Sequence, residues 1–201
     1  MNEADEAGWR HKMARRKQLQ DAKTAASSRE KGLLIVHTGT GKGKTTAALG
    51  MILRMAGHGF RSALIQFVKG GWSPGELSAL ARFEDLVTVR VMGEGFTWNT
   101  ADRTRDIAAS RLAWQAACDL FTDPSYRLVV LDELNIALRY DFLPVIEIVT
   151  TLAERRPDLH VVVTGRNAPG ELIEAADLVT DMQAVKHPFR SGIKAQPGLE
   201  Y

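Results

Sequence analysis

The chain has 201 residues, of which 45% are apolar and 25% charged, with a formal net charge of +2; this is enough for one compact domain with a tail and too little for two comfortable ones. The near-neutral balance excludes a globally basic nucleic-acid or membrane-surface protein, and the single cysteine, Cys118, excludes an internal disulfide framework and any CxxC metal or redox motif. No apolar run approaches the roughly 20 residues of a membrane span, and the first 30 residues lack the apolar region of a secretory signal, so the expectation is a cytoplasmic protein with no membrane partner.

Residues 1–30 are charged and poor in large apolar groups, with a basic cluster at Arg15, Arg16 and Lys17. They read as a charged, solvated arm, mobile or folded over a ligand or a dimer partner, and their composition favours helix over part of Lys12 to Ala26. The rest of the chain, residues 31–201, reads as one domain. Short β-branched apolar runs alternate there with segments of helical pattern, the signature of an α/β fold with a mostly parallel sheet flanked by helices. Strands are expected at Leu33 to His37, Ser62 to Val68, Val87 to Met92, Leu128 to Asp132, His160 to Thr164 and around Leu178 to Met182. Helices are expected at Lys44 to Ala56, Gly75 to Phe83, Thr100 to Phe121, Leu143 to Arg155 and Pro169 to Ala176. Several strands are apolar throughout, so both faces of the sheet should be covered. After Asp181 the pattern gives way to a loop rich in glycine, proline and basic residues. Cys118, in mid-helix, reads as buried packing.

The strongest chemical signal is HTGTGKGKTT, residues 37–46, placed after the first apolar strand and before the first helical run. Glycines in such a turn let successive amides face phosphate oxygens, the helix N-terminus adds partial positive charge, and a lysine adds a mobile ammonium. Gly39, Thr40, Gly41, Lys42, Gly43, Lys44, Thr45 and Thr46 are therefore the candidate nucleotide-binding residues, with ATP as the expected ligand. Thr45 is a candidate ligand of magnesium or manganese. The common pattern G-x-x-x-x-G-K-[ST] puts a glycine at position 38, where this chain has Thr38 and a glycine one place later. The complementary acidic element is LVVLDEL, residues 128–134, which ends an apolar strand in Asp132 and Glu133 at the edge where parallel sheets bind ligands. Either carboxylate can complete an oxygen-lined cation site with Thr45 and phosphate oxygens.

Loop and acid alone define a P-loop protein. Further blocks narrow this: QFVKGGW at 66–72, GFTWNT at 95–100, VVLDELNIALRYDFLP at 129–144, VVVTGRNAP at 161–169 and VKHPFRSGIKAQPGLEY at 185–201. Together with HTGTGKGKTT, and in this order, they closely resemble the P-loop family of ATP:corrinoid adenosyltransferases, over nearly all of residues 32–201. The resemblance implies a RecA-like P-loop NTPase fold and a homodimer. It also implies a divalent cation requirement, and transfer of the 5′-deoxyadenosyl group from ATP to the cobalt of a reduced corrinoid with triphosphate leaving. It implies that Lys42 and Lys44 meet the leaving triphosphate and that Phe96 and Trp98 face the corrinoid. Lys69, Glu76 and Arg166 are further candidates for polar contacts to either substrate. A reduced flavoprotein is the implied electron donor. The rival readings are a P-loop ATPase or phosphotransferase acting at the γ-phosphate, and a nucleotide-dependent nucleic-acid module. The near-neutral charge and the lack of a basic-aromatic stripe argue against the second.

Overall fold

The computed structural model describes residues 3–68, 75–92 and 102–199. The chain divides into two compact units, residues 1–30 and residues 31–201. The first contains a single helix, α1 (Glu3–Ala26), longer than the composition suggested and exposed along almost its whole length.

The second unit is built on a six-stranded parallel sheet of order β3-β2-β4-β5-β1-β6. Its strands are β1 (Leu34–Thr38), β2 (Arg61–Gln66), β3 (Val87–Val91), β4 (Tyr126–Asp132), β5 (His160–Thr164) and β6 (Leu178–Asp181). Its helices are α2 (Lys44–Gly57), α3 (Gly75–Leu80), α4 (Arg103–Thr122), α5 (Leu134–Arg139), α6 (Val145–Glu154) and α7 (Gly170–Ala175). All six expected strands are present, each within about two residues of its expected ends. The helix expected at Gly75 to Phe83 is α3 closed by a 3-10 turn at Ala81–Phe83. Helix α4 is capped by Asp102, whose side chain accepts from the Arg105 amide at 3.1 Å, and it stops before Asp123 and Pro124. Two elements were not foreseen: α5, directly after the acidic strand end, and a 3-10 turn at Pro188–Ser191. In the latter, His187 Nδ1 accepts from the Phe189 amide at 3.2 Å.

The all-apolar strands pack on both faces, as their patterning required. Ala63, Ile65, Val129, Leu131, Val161 and Val163 face the larger core under α4 to α7, where Trp114 meets Phe121 edge-on at 5.8 Å. The alternating partners Leu64, Leu128, Val130 and Val162 face Ala48 and Ile52 of α2. Each fully buried aliphatic side chain contributes about 1.5–3 kcal/mol of transfer free energy, so the sheet centre is held from two sides. Cys118 is half-buried against the larger core, and burial, followed by the charges of Asp119 and Glu147, pushes its thiol pKa up. Among the described residues no helix is long and apolar enough to cross a membrane.

Candidate functional site

The strand order determines which side chains can meet. β1, which feeds the glycine-rich loop, lies between β5 and β6, and β4 with its terminal acid lies beyond β5. Every side chain that joins loop to acid must therefore reach across the end of β5.

β1 ends at Thr38, and the loop turns through Gly39 (φ 96°) and Gly43 (φ 104°) into α2 at Lys44. Both angles lie in the left-handed region that favours glycine. Gly39 carries a second demand. A β-carbon there would stand 2.1 Å from Asp181 Oδ1 and 2.5 Å from the Met182 carbonyl, because the end of β6 runs against the loop. Two backbone bonds secure that contact: Met182 N donates to Thr38 O at 2.9 Å, and Gly41 N donates to Met182 O at 2.5 Å. Thr38, standing where the common pattern has glycine, is buried in the strand and accepts from Ala168 N through Oγ1 at 3.1 Å. The glycine shifted by one place thus matches a residue in strand conformation followed by a close approach of β6.

Lys44 is 7% exposed, and its ammonium donates to the Gly39 and Gly41 carbonyls at 2.9 and 2.5 Å. Burial first of all pushes its pKa down; the Glu133 carboxylate opposes this, while Arg166 and Lys42 add to it. Lys42, Thr40 and Thr46 are exposed around the loop.

Asp132 is the centre of the polar network. Its Oδ1 accepts from Thr45 Oγ1 at 2.8 Å and Thr164 Oγ1 at 2.7 Å, and its Oδ2 accepts from Gln66 Nε2 at 3.2 Å. Thr164, at the end of the intervening β5, also accepts from the Glu133 amide at 3.0 Å. Glu133 itself is in the left-handed region (φ 60°), where the chain leaves β4 for α5. Its Oε2 is buried with no hydrogen-bond partner among the described residues, and burial, then the Asp132 charge, raises its pKa, with Lys44 and Arg166 opposing. Gly165 (φ 129°) lies close enough that a β-carbon would come within 3.1 Å of that oxygen.

The structure thus groups Lys44, Thr45, Asp132 and Glu133 at one edge of the sheet, with Arg166 near enough to act on the charges of Lys44 and Glu133. Phe96, Trp98 and Lys69 lie outside the described residues. Glu76 is in the first turn of α3 and His187 caps the 3-10 turn, neither of them bonded to this network. Sequence reasoning did not single out Gln66, Thr164, Asp181 or Met182. The available signal was a polar residue at the carboxyl end of two strands with apolar centres: Gln66 pairs in register with Asp132, and Thr164 with His37.

A phosphate-cradling loop between strand and helix, with a buried acid reaching its threonine across an intervening parallel strand, defines a P-loop nucleotide-binding protein of the α/β class. A family model described as ATP:corrinoid adenosyltransferase BtuR/CobO/CobP matches residues 30–201, and the chain belongs to that family. It is 50% identical to a corrinoid adenosyltransferase of Sinorhizobium sp, over 99% of this chain and 94% of the relative. It is 49% identical to the corrinoid adenosyltransferase of Pseudomonas aeruginosa, over the whole of both chains. Among solved structures, a KaiC-like protein of Pyrococcus horikoshii OT3 covers 80% of this chain and 76% of its own at 17% identity, with a TM-score of 0.49.

Proposed function

We propose that this chain transfers the 5′-deoxyadenosyl group of ATP to the cobalt of a reduced corrinoid, releasing triphosphate, in the making or salvage of adenosylcobalamin. The observation that carries the reading is the family match over residues 30–201, on a chain whose Lys44, Thr45 and Asp132 meet at one sheet edge. The new bond joins Co(I) to C5′, and the C5′–O bond breaks with its electron pair leaving on triphosphate. The corrinoid brings its own nucleophile, so the protein's task is alignment and charge stabilisation.

The loop amides, the α2 N-terminus and the ammonium groups of Lys44 and Lys42 face the leaving triphosphate, whose negative charge grows as the bond breaks. Lys44 stands among the loop carbonyls where the phosphate chain enters. Thr45 and Asp132, hard oxygen donors already 2.8 Å apart, fit a magnesium or manganese ion, and the unpartnered Glu133 Oε2 is a further donor. No cluster of three or more His, Cys, Asp or Glu side chains that could hold a metal exists among the described residues, which suits a cation completed by phosphate oxygens. Such an ion, when bound, neutralises charge on the triphosphate. Gln66 and Thr164 hold the Asp132 carboxylate in place for it.

Phe96 and Trp98 are assigned to the corrinoid face, where apolar rings would exclude water from the cobalt. The enzyme is taken to work in the cytoplasm as a homodimer, fed electrons by a reduced flavoprotein. The open edge of β6, with exposed Leu178 and Val179 and the exposed Phe189 beyond it, supports a covering second copy. Residues 1–30 are taken as a charged arm, mobile or ligand-covering. The test is anaerobic incubation with magnesium-ATP and chemically reduced cob(I)alamin. Light-sensitive adenosylcobalamin with equimolar triphosphate, lost in Lys44→Ala, is the expected result. ADP and phosphate with an unchanged corrinoid spectrum would replace this reading with a P-loop ATPase.

A further inference from the structure

At the far end of α2, away from the loop, the second unit has a cleft of about 310 Å³. Met55 on its wall lies eleven residues after Lys44, about 16 Å along the helix at 1.5 Å per residue, so the cleft is separate from the nucleotide site. Its base is apolar and firm: Ile35 of β1 and Leu128 of β4 are 6% and 2% exposed. Met51 and Met55 of α2 and the exposed ring of Phe60 form the sides. Thioether side chains adapt to a flat apolar body better than branched ones.

The polar groups at this cleft are Arg54, His58 and His160, and no carboxylate among the described residues lines it. A helix C-terminus ordinarily attracts cations, but here two of its last carbonyls are already engaged. Met55 O accepts from His58 N and Phe60 N, both at 3.0 Å, and Ala56 O from Gly59 N at 2.9 Å. His160 Nδ1 accepts from the Leu33 amide at 3.1 Å, which leaves the ring proton on Nε2 as a donor. Burial first, then Arg127 and Arg155, holds the His160 pKa below its usual range, with Asp158 opposing, so the ring is a neutral donor near pH 7. Asp158, the nearby carboxylate, is already paired with Arg127 at 2.8 Å and Arg156 at 3.4 Å. An apolar slot edged by the Arg54 cation and the His160 donor, with no carboxylate among its described lining residues, selects an anion with a hydrophobic body.

We propose that this cleft is a second ligand site, for a small aromatic carboxylate whose ring lies between Met51, Met55 and the Ile35–Leu128 base and whose carboxylate is bound by Arg54. The proposal is independent of the adenosyl-transfer reading. The full chain, labelled with 13C at its methionine methyl groups, is titrated with 2-naphthoate and separately with the uncharged 2-naphthalenemethanol. Met182, beside Gly43, reports on the phosphate loop in the same spectrum. The expected result is saturable movement of the Met51 and Met55 signals with Met182 still, and at least fivefold weaker binding of the alcohol. Arg54 is exposed on the last turn of α2, so Arg54→Gln should fold with an otherwise unchanged methyl spectrum and bind naphthoate at least fivefold more weakly. Unmoved Met51 and Met55 signals, equal binding of the alcohol, retained affinity in Arg54→Gln, or a Met182 shift of the same size would each overturn it.

Discussion

Replacing Asp132 by alanine and by asparagine separates the structural role of this residue from its charge. The carboxylate accepts three side-chain hydrogen bonds, from Thr45 at 2.8 Å, Thr164 at 2.7 Å and Gln66 at 3.2 Å. Thr45 is half-exposed and can turn its hydroxyl to water. Thr164 and Gln66 are 0% and 7% exposed and cannot. Leaving two buried donors without an acceptor costs about 1–3 kcal/mol each, partly offset because a buried charge is also removed, so Asp132→Ala should lose about 2–4 kcal/mol. Asparagine keeps the shape. Its oxygen can accept from both threonines, and Gln66, whose amide has no other side-chain bond among the described residues, can turn over to accept from the new NH2, so Asp132→Asn should lose only about 1 kcal/mol. With a urea slope of about 2 kcal/mol/M for a domain this size, the two variants should differ in midpoint by about 0.5–1.5 M. Both should lose about 10–100-fold in turnover, because the cation proposed to bind beside Thr45 is held more weakly by a neutral side chain than by a carboxylate. Equal midpoints for the two variants would refute the assignment of Asp132 as the acceptor that closes this network.

Other outcomes follow from single residues. Gly39→Ala, with a β-carbon 2.1 Å from Asp181 Oδ1, should lose about 2–3 kcal/mol and weaken ATP binding. Gly43→Ala, whose nearest neighbour is Met182 Sδ at 3.6 Å, should suffer only the backbone strain of about 1 kcal/mol; urea midpoints and nucleotide titration compare them. Glu133→Gln removes a buried, unpartnered carboxylate oxygen and should raise stability at pH 7.5 by about 0.5 kcal/mol or more while lowering turnover, measured by urea unfolding and the triphosphate assay. Asp177 receives hydrogen bonds from Lys31 and from the Leu34 amide, which hold its carboxyl below the usual carboxylate range. Its native pKa being depressed, the stability it gives is present above the unfolded value of about 3.9 and is lost as pH falls through the lower native value. Asp177→Asn should therefore show a shallower fall of urea midpoint between pH 5 and 3 than the parent chain.

Much of this architecture is legible in the sequence because it depends on local pattern. Five-residue runs such as His160 to Thr164 announce parallel strands, and the glycines from Gly39 to Gly43 announce their turn from composition alone. What stayed hidden depends on sheet order. Leu134 to Arg139 is six residues of apolar and polar groups too short to show a helical period, and it forms α5 because the chain turns through Glu133 in the left-handed region to leave β4. Gln66 and Thr164 look like ordinary strand ends until β2 and β5 are known to flank β4. The role of Met182 is similarly invisible, since it acts through its backbone on a loop more than 140 positions earlier.

The order β4-β5-β1 also explains why a threonine ends β5. A carboxylate on β4 and the hydroxyl that opens α2 after β1 are separated by a whole strand, so they can meet only if the intervening residue bonds to the acid without blocking it. Thr164 does this with one hydroxyl, donating to Asp132 Oδ1 and accepting from the Glu133 amide, and so fixes both the carboxylate and the backbone that turns after it. Valine at this position has nearly the same shape and no hydroxyl. Thr164→Val should therefore leave the β5 packing intact while freeing Asp132 and orphaning the Glu133 amide, for about 1–3 kcal/mol of stability. Its effect on ATP affinity should exceed that of an equally destabilising core change such as Val163→Ala, whose side chain faces α4 to α7. Equal nucleotide affinities in these two variants would mean that Thr164 is packing alone, and that the acid is positioned from β2 through Gln66.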